Sequence, residues 1–424
     1  MIKDLPELVQ AGVITQETAD RIRAYYTAGA GKPQNRLLLV SGILGALLIG
    51  LGIILIIAHN WDDLNRSAKT ALAFLPLLIG QLLGGYTLLK KQASVVWREA
   101  AATFLFLSVG ATISLVSQVY HIPGNLSSFL LTWMLLGLPL VYILASSFAS
   151  LFYLAGITYY AVETGYGYQW AGRDAYLFWL LLLLALPHYL RLVRNNVAGN
   201  FTVFHHWLVP LSVLIAMGTV AGSAGELLFV AYMSLLGIYC IIGSTGSFKT
   251  LRFRNNGYLF MGIIGTLGIL LTLTFRVFWE EIAREKLLSF SPEMMASLLL
   301  GSLALLLLFL KWQRYTFKAI SLMEYLFLIF IPIFSIGSYS AILATVLVNL
   351  LVLGIGLLTV RAGATKNDLG LLNAGLLIIA ALIISRFFDT NISFVLRGLL
   401  FVLVGIGFFL ANFWMLKKRK AHEI

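Results

Sequence analysis

The sequence predicts an all-α protein: a polytopic transmembrane helix bundle of about fourteen spans, preceded by a small N-terminal helical hairpin on the cytoplasmic side. Three observations carry that prediction. Of 424 residues, 60% are hydrophobic and 11% charged, with a mean hydropathy of +0.91, more apolar surface than a soluble core of this size needs. Leu37 to Ala58 runs without a charge and, at about 1.5 Å per residue, reaches roughly 33 Å, enough to cross a hydrocarbon core of about 30 Å. Lysine and arginine, finally, crowd into alternate loops, as in a chain that crosses a membrane repeatedly.

Residues 1–35 form the segment expected to fold outside the bilayer. Asp4 and Thr15 suit helix N-caps and Gly12 suits a helix end, so DLPELVQAG and ITQETADRIRAYY read as two short helices. Leu5, Leu8 and Val9 make one apolar stripe, and Ile22, Tyr25 and Tyr26 another. Such a pair suits a cap resting on the membrane surface or the bundle, or a module that docks a cytoplasmic partner. AGAGKPQN is the link to residues 36–424, the membrane bundle.

The spans are expected near 37–58, 67–89, 98–119, 127–145, 147–162, 174–191, 203–221, 225–243, 256–278, 293–311, 320–337, 340–360, 368–385 and 394–416. The first carries Gly42, Ala46 and Gly50 at every fourth position, a ridge of small side chains along which another helix backbone can approach closely. IPGN, GYGYQWAGRD and GSTGS supply turns after the third, fifth and eighth. At 145–147 and 337–340 a tight turn and a kinked helix fit equally well.

With the N-terminus inside, 22 of the 30 lysines and arginines fall on cytoplasmic segments and 8 outside. Both termini are therefore expected in the cytoplasm of a bacterial inner membrane. The same distribution explains the net charge of +12 without any nucleic acid, and LKKRK at the end of the last span suits anionic membrane lipids. Cys240 is the one cysteine, so no internal disulfide forms, and LLGIYCIIG places it in apolar packing. Acidic residues before the first apolar run and the lack of an A-x-A site predict an uncleaved first span.

Candidate site residues gather at the ends of odd-numbered spans, which share the outer side. His59, Asn60, Trp61 and Asp62 close span one; Gln118, Tyr120 and His121 close span three; Arg276, Trp279 and Glu280 close span nine; Arg386 and Asp389 close span thirteen. These lips mix imidazole, amide, carboxylate and indole, whereas inner ends carry mostly plain cations. The same residue types also suit interfacial belts and helix caps, and both readings stand at this level.

The small-residue helix running into AHNWDDL, then SQVYHIPG some 60 residues on, with the ITQETADRIRAYY hairpin before them and RFFD ahead of the last span, resembles the bacterial membrane-protein family called domain of unknown function 2157. The resemblance implies a membrane protein and no particular activity. LIIAHNWDD and LIISRFFDT also echo one another across the chain, as an internal repeat would.

No ionisable side chain falls at a clear mid-span position, and Gln81 and Asn349 read as interhelical glue, which weakens an ion-coupled transporter. His205 and His206 are expected in the headgroup layer, and no metal or cofactor motif is present. Asp62 and Asp63 resemble the acidic pair of glycosyltransferases acting on lipid-linked sugars. Three functions follow in order: a protein that binds or translocates a lipid, envelope precursor or small molecule at an outward-facing site; a transferase acting on a lipid-linked substrate at the outer face; and a non-catalytic scaffold. The sharpest expectation is that spans one, three and thirteen are neighbours, with Arg386 paired to Asp389 or Asp62 because a guanidinium at the end of an apolar run needs a carboxylate or water.

Overall fold

The computed structural model describes residues 5–29, 61, 63–166, 173–222, 225–284, 291–315 and 320–389, with scattered positions between 395 and 413. Among them every regular element is helical. The expected spans at 37–58, with its Gly42, Ala46 and Gly50 ridge, and at 394–416 lie outside this description, fully in the first case and mostly in the second. The chain divides into two compact units, residues 1–73 and 74–424.

In the first unit, α1 (Leu5–Gln10) and α2 (Gln16–Gly29) are joined by a turn through Gly12, whose φ of +71° is the left-handed conformation that glycine adopts freely. Thr15 caps α2 by accepting from the Thr18 amide at 3.3 Å. Leu5 and Ala19 are buried. The unit ends in the first turns of α3 (Arg66–Lys90).

The second unit continues with α4 (Val95–Tyr120), α5 (Leu126–Ile143), α6 (Ser147–Gly165), α7 (Leu177–Asn195), α8 (Asn200–Met217) and α9 (Leu228–Gly243). After these come α10 (Gly257–Thr272), α11 (Arg276–Arg284), α12 (Pro292–Arg314), α13 (Leu322–Gly337), α14 (Ala341–Lys366) and α15 (Leu369–Asp389). Nine helices among the described residues are long and apolar enough to cross a membrane, ten if the bent pair α10 and α11 is one span. Three expected spans account for the difference within the described chain. Helix α6 dilutes its apolar run with Ser147, Ser150, Thr158 and Tyr153; α13 has only 16 residues; and α10 turns by 82° into α11. Both ambiguous junctions are turns, 144–146 with Ala145 at φ 47° and 338–340 before the Ser340 cap of α14.

Helix α9 sits at the centre, with 67% of its span buried, and packs against α10, α12 and α13, whereas α12 is 11% buried and peripheral. Small residues set the closest approaches. A Cβ on Gly110 of α4 would run into the Trp133 indole, and one on Gly137 of α5 into the Phe106 ring. That intimacy lets Trp133 Nε1 donate to the Phe106 carbonyl at 2.8 Å, which locks α4 to α5. Glu99 of α4 adds a second tie. It accepts from the Ser147 and Phe148 amides at 2.9 Å each, and from the Ser146 hydroxyl, so an acidic side chain from α4 satisfies the N-terminus of α6.

Candidate functional site

The end of α4 and the start of α5 border a hollow of about 880 Å³. Its shape follows from local chemistry. His121 takes the left-handed conformation at φ 51° and ends α4. Ser117 then holds the returning chain twice, its carbonyl accepting from the Ile122 amide and its hydroxyl donating to the Ile122 carbonyl, both at 2.9 Å. Asn125 starts α5 by accepting from the Ser128 amide at 2.8 Å and the Ser127 hydroxyl at 2.9 Å. Thr112, Ser117, Gln118, Asn125, Ser128 and Thr132 give the hollow a wall of hydroxyls and amides, and Phe74, Ile113 and Phe129 give it an apolar side. Among the described residues, none that lines it is ionisable. The wall donates and accepts hydrogen bonds, but it supplies no general acid or base.

Of the expected site residues, Gln118 lines this hollow, while Tyr120 and His121 on the same stretch are exposed and lie outside its lining. Trp61, in the first unit, lies under the Lys69 ammonium at 5.7 Å. His59, Asn60 and Asp62 fall outside the described residues, as does the side chain of Asp389 at the end of α15. Arg386 belongs to another setting, the break between α10 and α11. Its guanidinium donates to the Thr274 hydroxyl at 3.0 Å and stacks 5.1 Å from the Phe275 ring centre. The carbonyls freed by the bend are met as well: Asn349 donates to Thr274 O at 3.1 Å and Trp279 to Leu273 O at 2.7 Å. Asn349 thus acts as glue between helices. Trp279 is fully buried, and Arg276 pairs with Glu280 one turn on at 2.7 Å, so the lip expected to close span nine is a folded corner.

Sequence reasoning missed the polar centres of the bundle interior. His205 and His206, expected among lipid headgroups, are both completely buried. His205 donates from Nδ1 to the Phe201 carbonyl at 2.7 Å and uses Nε2 with Ser150 at 3.0 Å; His206 donates from Nε2 to the Val197 carbonyl at 2.9 Å and uses Nδ1 with the Tyr189 hydroxyl at 2.8 Å. Each ring therefore has a donor and an acceptor bond that suit a single neutral tautomer, and full satisfaction is what makes burial affordable. Lys311 and Glu324 form an ion pair of 2.6 Å, with side chains 5% and 2% exposed, and the lysine also donates to Ser244 at 2.7 Å. The doubled histidine in an apolar run was the visible signal for the first centre. The second had none, because its members lie on separate helices.

Residues 6–150 match the family described as predicted membrane protein, DUF2157. No curated protein and no solved structure matches the chain. The matched stretch contains every residue that lines the hollow and closes just past the Glu99 clamp on α6.

Proposed function

We propose that this chain, whose residues 6–150 match that family of predicted membrane proteins, is a multi-pass protein of the bacterial inner membrane with both termini in the cytoplasm, and that it binds the polar part of a lipid or envelope precursor in the hollow between α4 and α5. The 22-to-8 bias of basic residues supports the orientation; under it, residues 121–125 and the mouth of the hollow face outward. The observation that carries the binding reading is the chemistry of the wall, which joins hydroxyls and amides to an apolar side and leaves out ionisable groups. Such a wall matches a neutral, hydroxyl-rich headgroup carried on a hydrocarbon tail, and it offers binding in place of acid–base catalysis.

The test is lipid analysis of protein purified through detergent exchange, comparing the wild type with Thr132→Trp, which fills the hollow from an exposed position on α5. A polyol or sugar lipid should accompany the wild type and fall at least about fivefold in the variant, the loss expected when a bulky ring displaces a hydrogen-bonded group worth about 1 kcal/mol. Equal lipid content in two folded samples refutes the assignment.

A further inference from the structure

A second, quite different groove lies on other helices. Leu305, Leu308, Phe309 and Trp312 of α12 face Tyr325 and Leu328 of α13 across a furrow of about 370 Å³. The α12 residues follow the i, i+3, i+4, i+7 spacing of one helix face. Phe309 and Trp312 are 48% and 57% exposed. Because α12 is also the least buried of the long apolar helices among the described residues, the furrow belongs to an outer face and not to the bundle interior. From Leu305 to Trp312 the stripe covers roughly 10 Å at about 1.5 Å per residue, which fits within one leaflet of a hydrocarbon core of about 30 Å.

The stripe ends in a positive charge. Tyr315 ends α12 in an extended conformation three residues after Trp312, and the ammonium of Lys249, from the turn after α9, rests 6.0 Å from its ring centre. Lys249 and Arg314 are both exposed at this end of the bundle. We propose that the α12–α13 furrow is a specific site for an anionic phospholipid, with one acyl chain lying along Leu305, Leu308 and Trp312 and the phosphate held by Lys249. Apolarity and charge select the same occupant: the furrow takes a hydrocarbon chain, and the cation near the end of α12 prefers a net negative headgroup. This site is separate from the α4–α5 hollow, whose wall carries no charge, and it stands whether or not that hollow binds a lipid.

The experiment titrates the full-length protein in detergent with dioleoylphosphatidylglycerol or dioleoylphosphatidylcholine and counts bound lipids by native mass spectrometry. The wild type should retain one phosphatidylglycerol per chain, saturably, in preference to phosphatidylcholine. Lys249→Gln should lower that preference about fivefold, the worth of one surface cation at a membrane, while phosphatidylcholine binding stays the same. Leu308→Trp, which fills the furrow, should weaken both lipids alike. Equal binding of the two lipids by the wild type overturns the proposal, as does an unchanged preference in Lys249→Gln. That substitution is at an exposed position, so the result can be read even if Leu308→Trp does not fold.

Discussion

The Lys311–Glu324 pair makes a quantitative demand. Replacing Glu324 with glutamine preserves the side-chain shape and the oxygen that accepts from the Ser321 amide at 3.2 Å, but it takes the countercharge from an ammonium that is 95% shielded from solvent. Lys311 then keeps only the Ser244 hydroxyl at 2.7 Å among its identified partners. Breaking a buried ion pair from one side costs about 3–5 kcal/mol, because the remaining charge stays in a medium that solvates it poorly. Lys311→Met strands the carboxylate and should cost a similar amount. The double variant, Lys311→Met with Glu324→Gln, leaves a neutral amide between Ser321 and Ser244 and should lose less than about 2 kcal/mol, because a neutral replacement for both partners removes the stranded charge. Equilibrium unfolding in mixed micelles, run on all four proteins, closes the cycle. A coupling of about 3 kcal/mol or more is expected. If the two single losses simply add in the double variant, the pair is not functioning as a buried ion pair and the account of this interface fails.

Two further expectations concern packing and orientation. Gly110→Ala drives a methyl group into the Trp133 indole and should destabilise the solubilised protein by about 1–3 kcal/mol through overpacking; an unchanged melting temperature means that α4 and α5 are not in that contact. A reporter active only in the periplasm should be silent when fused after Lys420 and active when placed between Glu280 and Glu293, and the reverse pattern inverts the proposed orientation.

The element boundaries were largely legible in the sequence because apolar runs have ends: the expected 127–145 and 368–385 correspond to Leu126–Ile143 and Leu369–Asp389. The corner at 273–275 was not, since Leu273, Thr274 and Phe275 read as a continuation of the run and the groups that stabilise the bend, Asn349 and Arg386, arrive from 75 and 112 residues away. Burial of the two histidines was hidden for the same reason: Ser150 and Tyr189 stand on other helices. Of the candidate site, Gln118 was recognisable by its amide at the end of an apolar helix. The hollow beside it was not, because its volume depends on how Ser117 and Asn125 fold the connection back.

The tie between Glu99 and residues 146–148 also bears on how the protein is made. The acid precedes the hydroxyl it holds by 47 residues, so during synthesis its carboxylate exists before any of the three groups that meet it. It gains them only when α5 has been made and the first turn of α6 has formed. The contact therefore ties α4 to the far side of α5, and a chain that ends between 120 and 145 lacks every partner that Glu99 holds in the folded protein.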